Sequence, residues 1–207
     1  MLDYTTLLSK TLMITSAAED QMKKTIGLGD FYNALKRFDG VTFIHSEDVA
    51  RIAIMLAIQQ GFNSDRLLNL AIAGYMHDIG KIFIGIDIIG KNGSLSNEEY
   101  EVVKEHPLIG YRHLKCFIDN EEILLGVLQH HERIDGTGYF RGLKDSNISE
   151  FGKILAIADV YSAMTSVRSY KDAISSDNTL KQMTNSKGFD ESIMILLSDL
   201  DEKGALK

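Results

Sequence analysis

Two residue types that organise many small proteins are almost missing. The 207-residue chain has one cysteine, Cys116, and one proline, Pro107. A single thiol excludes an internal disulfide framework and fits a reducing cytoplasm, where the chain is expected to act. Cys116 falls in an apolar helical stretch and is expected in the core, not as a nucleophile. Positive charge is also short: 22 Lys and Arg face 29 Asp and Glu, for a net charge of −7. That balance argues against the basic field that broad nucleic-acid binding needs. An anionic ligand would have to be held by local cations, of which bound metal ions would be the strongest. No apolar run reaches the length of a membrane span. The first residues, Met1-Leu2-Asp3-Tyr4, carry no basic flank ahead of an apolar stretch. Neither a membrane anchor nor a leader is expected.

What is present is ordinary for a globular protein: 44% hydrophobic and 25% charged residues. The length suits one domain with a small N-terminal extension, here residues 1–37 ahead of a main unit at 38–207. The first forty residues read as two or three short helices, one capped by Asp30 and stopped by Gly40. Val49, Ile52, Ala53 and Leu56 then recur at helical spacing, with His45 at the N-terminal end and Gly61 as the stop. Asp65 is the expected cap of the next helix, which carries Leu67, Leu70, Ile72 and Ala73. Residues 82–95 are β-branched and glycine-punctuated, a loop with one short extended pair. Ser96 and Glu99 form a capping box, and Pro107 places His106 at a corner between two helices. His113, without partner spacing, is read as surface. Asn120 opens a helix with Ile123, Leu124, Val127 and Leu128 on its buried stripe. Ser149 to Ser166 makes a last core helix, and shorter ones follow at 178–186 and after Asp190.

The chemistry concentrates at helix ends. One apolar helix finishes in His77-Asp78 with Lys81 just beyond, and another in His130-His131-Glu132-Arg133. Consecutive histidines on a helix point about 100° apart, so both reach one site only near a helix end or across two ions. His45, His77, His106, His130 and His131 with Asp78 and Asp159 make seven N/O ligand groups. That is enough for two metals with positions left for water and substrate. Bland readings stand beside this one. His45 could be a solvated cap, Asp78 a helix-end ion pair with Lys81, and Asp159 half of a buried ion pair.

The order His45, His77-Asp78, Asp159 resembles the HD superfamily of metal-dependent phosphohydrolases. Longer strings resemble its HD-GYP subfamily: His77-Asp78-Ile79-Gly80-Lys81, His106-Pro107 with Gly110, and His130-His131-Glu132-Arg133 through Asp135-Gly136-Thr137-Gly138-Tyr139. Ala158-Asp159-Val160 leading to Arg168-Ser169-Tyr170-Lys171 completes the set. The resemblance implies an all-α, HD-domain helical bundle and a bacterial phosphodiesterase that opens cyclic di-GMP or the related cyclic GMP-AMP. It implies two divalent ions, iron or manganese. One would be bound by His45, His77, Asp78 and Asp159, and the other by His106, His130 and His131 with Asp78 as the bridge. Asp78 and Lys81 would be catalytic, a metal-bridging hydroxide would attack phosphorus, and the product would be linear pGpG. Lys81, Arg133, Arg168, Tyr170 and Lys171 would contact substrate, and the Gly138-Tyr139 loop could meet a protein partner. Val41 stands where three-metal members carry a ligating glutamate, so two ions and a slow or absent second cut to GMP are expected. Phe140 replaces the signature proline, and Gly85, Asn92 and Ser169 replace three others. The alternative is a module that binds the dinucleotide and signals without cutting it. A phosphohydrolase of nucleotides or single strands fits the strings less well.

Overall fold

The computed structural model describes residues 2–91, 93–166 and 173–206, and among them the chain is all-α. No strand occurs among the described residues, only an isolated antiparallel bridge between Asp135 and Lys144. Arg168, Tyr170 and Lys171, the substrate residues implied after Asp159, lie outside the described residues. So do Asn92 and Ser169.

The first forty residues make one long helix and one short one. Helix α1 spans Tyr4–Lys24, capped by Asp3 through the Thr6 N–H, and α2 spans Leu28–Phe38 behind Gly27. Asp30 therefore lies inside the first turn of α2 and is not its cap. The capping carboxylate is Asp39, which accepts from the Val41 and Thr42 N–H groups at 3.2 and 3.0 Å. It opens α3, Gly40–Gln59, so Gly40 starts a helix instead of stopping one and His45 sits in the second turn. Gly61 does end α3: at φ +80° its N–H bonds the Ile58 carbonyl while Phe62 N–H reaches Ala57. That double bond is the Schellman closure that favours glycine.

Helix α4, Ser64–Met76, is capped by Asn63 and not by Asp65, because the Asn63 side chain accepts the Arg66 N–H at 2.9 Å. A 3₁₀ turn follows at Ile79–Phe83, then α5 at Ile86–Ile89. The expected extended pair is thus replaced by helical turns at 79–83 and 86–89. The capping box is present: Ser96 N–H donates to Glu99 Oε2 at 2.7 Å and Glu99 N–H to Ser96 Oγ at 3.2 Å. It starts α6, Asn97–Val103, and α7 begins at His106 with Pro107 in its first turn, Glu105 preceding it. Helix α7 ends at Leu114, so Cys116 falls in the turn beyond and is exposed, contrary to the core expectation. His113 is half-buried, its ring parallel to Phe83 at 3.8 Å, because the 3₁₀ turn packs on α7. Helices α8 (Glu121–Gln129), α9 (Glu150–Thr165), α10 (Ser176–Ser186) and α11 (Glu191–Glu202) follow.

The core forms where α3, α4, α8 and α9 pack together, and α1 closes it from the other side of α3 and α4. Leu7, Ala18 and Met22 of α1 belong to the same buried cluster as Leu56, Leu70, Leu124 and Leu155. Helix α3 is buried from Ile52 to Ile58 on every face, and its buried polar residues, Thr42, His45 and Ser46, lie nearer its start. Leu56→Ala removes a fully buried side chain at this crossing. Equilibrium urea unfolding is expected to show a loss of about 3 kcal/mol with an unchanged m-value.

Helix α11 carries a pH-sensitive cap. Burial pushes Asp190 up, but Ser192, Lys153 and the Ile193 N–H bond the carboxylate and hold it below its ordinary value. A carboxyl depressed in the folded state stabilises above its unfolded value of roughly 3.9 and loses that contribution as pH falls through the folded value. Asp190→Asn should therefore flatten the loss of urea midpoint between about pH 5 and 3. An equal loss in both proteins would assign acid sensitivity elsewhere.

Candidate metal centre

Seven side chains from five helices converge in one buried cluster. His45 comes from α3, His77 and Asp78 from the end of α4, His106 from the start of α7, His130 and His131 from the end of α8, and Asp159 from the middle of α9. Asp78 lies between two groups of imidazoles. Its Oδ2 is 3.3 Å from His77 Nε2, and its Oδ1 is 3.2 Å from His106 Nε2 and 4.0 Å from His130 Nε2. Asp159 Oδ1 is 2.9 Å from His45 Nε2 and 4.0 Å from His77 Nε2, while its Oδ2 is 3.8 Å from His131 Nδ1. Two sets could each hold an ion: His45, His77 and Asp78, and Asp78, His106, His130 and His131. The solvated-cap reading of His45 is excluded by its burial.

The ring orientations follow from where helices stop. The last carbonyls of a helix have no intrahelical donor. Gly74, Val103 and Val127 are such carbonyls, and each accepts the Nδ1–H of the histidine three residues on, His77, His106 and His130, at 2.8, 2.7 and 2.7 Å. A carbonyl can only accept, so these three rings carry hydrogen at Nδ1 and turn a bare Nε2 lone pair inward. His106 Nε2 and His130 Nε2 then face each other at 3.2 Å as two lone pairs, an arrangement that a cation between them relieves. His77 Nε2 and Asp78 Oδ1 are buried without any hydrogen bond. Unsatisfied buried groups of this kind are costly unless something binds them. The donor set of imidazole nitrogens and carboxylate oxygens suits a first-row divalent cation. The residues fit a metal.

Charge is set for ligation. Burial pushes Asp78 up, but the neighbouring His77 and Lys81 outweigh it and hold the carboxyl well below its ordinary range. Burial likewise opposes Asp159, which hydrogen bonding from His45 and the charges around it keep well down. Burial drives His130 and His131 well below the usual imidazole value and lowers His45. His77 is pushed down by burial and pulled up further by Asp78. Ionised carboxylates beside imidazoles kept neutral, as at His45, His130 and His131, are the protonation states that metal ligation needs.

Lys81 Nζ reaches Asp78 Oδ2 at 2.5 Å, so the ion pair weighed as a bland reading exists alongside the cluster. The two are compatible because the ammonium takes one oxygen and leaves Oδ1 without a hydrogen bond, facing His106 Nε2. Arg133 is spent differently. Its Nη1 donates to the His130 and Glu132 carbonyls at 3.3 and 2.8 Å, and its guanidinium lies 4.8 Å from the Phe189 ring. In this arrangement it braces the double-histidine turn. Tyr139 stacks on His131 with ring centroids 4.5 Å apart. Gly138 lets that happen, since a Cβ there would come within 2.4 Å of the Arg133 nitrogen.

Two features were not anticipated. The helix-end carbonyls behind three histidines are one, and a histidine just past the last turn of a helix is the signal for them. Glu132 is the other: it is buried and accepts the Arg141 and Leu143 N–H groups at 2.7 and 2.8 Å. It thereby ties the 133–143 loop to the histidines. Glu132→Ala orphans both donors, at a cost of about 1–3 kcal/mol. Limited proteolysis should then cut within 133–143 well before the rest of the chain. Wild-type resistance in the variant would remove Glu132 from that role.

Comparison with known proteins agrees with this geometry. The family model for the HD domain matches residues 13–193. "Cyclic di-GMP phosphodiesterase PA4108" of Pseudomonas aeruginosa is 37% identical over 155 residues, 74% of this chain and 37% of that protein. "Cyclic di-GMP phosphodiesterase response regulator RpfG" of Xanthomonas campestris is 34% identical over 179 residues, 85% of this chain and 47% of that protein. The chain thus spans less than half the length of these curated relatives. Among solved structures, Bd1817 from Bdellovibrio bacteriovorus, described as an HDG"Y"P protein, superposes with a TM-score of 0.67 at 18% identity. That match covers 91% of this chain and 62% of the other. The helical architecture, the His/Asp cluster and a family match spanning most of the sequence lead to one conclusion: the chain belongs to the HD domain family.

Proposed function

We propose that the chain is a metal-dependent phosphodiesterase of the HD-GYP type that opens cyclic di-GMP to linear pGpG. The observation that carries this reading is Asp78, whose two oxygens lie 3.3 and 3.2 Å from Nε2 atoms of two different histidine groups. A carboxylate so placed is suited to bridge two cations. The naming of both relatives for cyclic di-GMP supports the substrate class.

His45, His77, Asp78 and Asp159 would hold one divalent ion, and Asp78, His106, His130 and His131 the other. When bound, such ions would supply Lewis acidity: they would lower the pKa of a bound water toward roughly 7 and neutralise charge that builds on a phosphodiester. The chain's own residues do the rest. Helix-end carbonyls fix three imidazoles in the tautomer that presents Nε2, so no reorganisation is needed when the reaction occurs. Lys81, partly exposed beside Asp78, offers a cation to a non-bridging phosphate oxygen and orients the diester. The buried walls around His77, His130 and Asp78 keep bulk water away and strengthen each of these interactions. Val41, half exposed and without a ligating atom, supports a product that stops at pGpG. Iron or manganese suits this N/O set.

The test pairs metal analysis of anaerobically purified protein with product identification on cyclic di-GMP and cyclic GMP-AMP. Two equivalents of metal and pGpG are the expected result. Bound metal with uncut dinucleotide after hours of incubation would favour the signalling module instead.

A further inference from the structure

The corner that carries His106 also carries two residues that the metal centre does not use. Tyr100 lies in α6, and Lys104 is the C-cap of that helix, two residues ahead of His106. Four positions apart, they share one helix face, and Lys104 Nζ sits 5.7 Å from the centre of the Tyr100 ring. The same ammonium lies 5.8 Å from the centre of the Tyr139 ring, which stacks on His131. Both distances are within the roughly 6 Å reach of a cation–π contact. Tyr139 is held in place by its own N–H, which donates to the His131 carbonyl at 3.1 Å. A row of side chains thus runs outward from the cluster: His131, Tyr139, Lys104, Tyr100.

The outer members of this row are open to a ligand. Tyr100 is 49% exposed although its ring is large and apolar. Lys104 pairs with Glu101 at 2.9 and 3.0 Å, and the Glu101 side chain is 68% exposed. An ion pair at the surface contributes little, so the ammonium can turn to a better-placed acceptor at small cost. A purine offers a face and an edge. Its face stacks on an aromatic side chain with a gain that depends little on which base it is. Its edge discriminates: guanine presents O6 and N7, both acceptors, whereas adenine puts an N6–H₂ donor where O6 would be. An ammonium has donors only, so it matches the guanine edge and opposes half of the adenine edge.

We propose that Tyr100 and Lys104 form a guanine subsite on the rim of the metal centre. The exposed Tyr100 ring stacks the base, Lys104 donates to its O6 and N7, and Tyr139 is the positioning residue that keeps Lys104 beside the centre. The subsite rests on the cyclic di-GMP reading above and adds which residues choose guanine over adenine.

Steady-state hydrolysis of cyclic di-GMP and cyclic di-AMP by the manganese-loaded protein tests this, with metal content measured on each sample. Wild type should prefer cyclic di-GMP by about 10-fold or more in kcat/KM. Lys104→Met keeps the stem and loses the donors, and it should bring that preference to within about twofold by raising KM for cyclic di-GMP. Tyr100→Ala should raise KM for both dinucleotides by about 10-fold, and Tyr100→Phe should restore it, since stacking needs the ring and not the hydroxyl. Calorimetric titration of the same proteins with pGpG should rank them in the same order without turnover. A wild type that cuts both dinucleotides with no preference for cyclic di-GMP would overturn the subsite alone. So would an unchanged preference in Lys104→Met. A parallel loss on bis(p-nitrophenyl) phosphate, a diester with no purine, would also overturn it, because the variants would then be damaging the metal centre. If wild type cuts neither dinucleotide, the cyclic di-GMP reading itself fails and the subsite falls with it.

Discussion

On the function proposed above, Asp78→Asn is expected to lower bound divalent metal from two equivalents to one or none and to cut turnover of cyclic di-GMP by about 100-fold or more. The substitution keeps the shape of the side chain and removes its charge. Asp78 is buried between His77, His106 and Lys81, and those neighbours hold its carboxyl ionised against the pull of burial. An asparagine would bring one neutral oxygen and one N–H₂ group into a space where Lys81 takes one carboxylate oxygen and the other faces His106. If the N–H₂ faces Lys81 it meets another donor, and if it faces His106 it would block the proposed second ion. Either orientation removes the proposed bridge. Metal analysis and initial rates measured on the same preparation check the claim, and unchanged values for both would take Asp78 out of the site. A loss of both metals with an unchanged melting temperature would show that the carboxylate serves the site and not the fold.

Gly80→Ala has the other large effect, through packing. A Cβ at position 80 would lie 2.0 Å from the His106 carbonyl oxygen and 2.8 Å from the Gly110 nitrogen. These are backbone atoms of α7 and cannot swing aside as a side-chain tip would. The 3₁₀ turn after Asp78 and the start of α7 must separate, and His106 moves with its helix. Overpacking of this kind costs about 3 kcal/mol or more. Urea unfolding of Gly80→Ala should show that loss together with reduced metal content. Gly40→Ala is the comparison, because nothing lies within 4 Å of its Cβ and its backbone is helical. It should sit within about 0.5 kcal/mol of wild type. Equal stability in the two variants would show that α7 does not rest on Gly80.

Most of the helical bundle is legible in the chain because helices are local. The capping box at Ser96 and Glu99, the Asn120 and Asp190 caps and the Gly61 stop need only a few neighbouring residues, and each forms as expected. The misreadings share a cause. Asp30 and Asp65 have the chemistry of caps, yet Asp39 and Asn63 take the position, since a cap needs an extended backbone as well as an acceptor. Cys116 was placed in the core by its apolar neighbours, but α7 stops two residues earlier. The β-branched run at 82–89 has strand-forming residues and, among the described residues, no second strand to pair with, so it settles into helical turns.

The sequence by itself determined the inventory: which histidines and aspartates exist, that they sit at helix ends and inside apolar runs, and that one family orders them this way. What only the tertiary structure decided is their meeting. His45 and Asp159 are 114 positions apart and touch at 2.9 Å because α3 packs on α9. Ligand spacing within a helix follows from a fixed pitch, whereas contact between helices depends on how side chains interlock across the whole core. The Nδ1 bonds to helix-end carbonyls and the Glu132 brace both belong to that second kind.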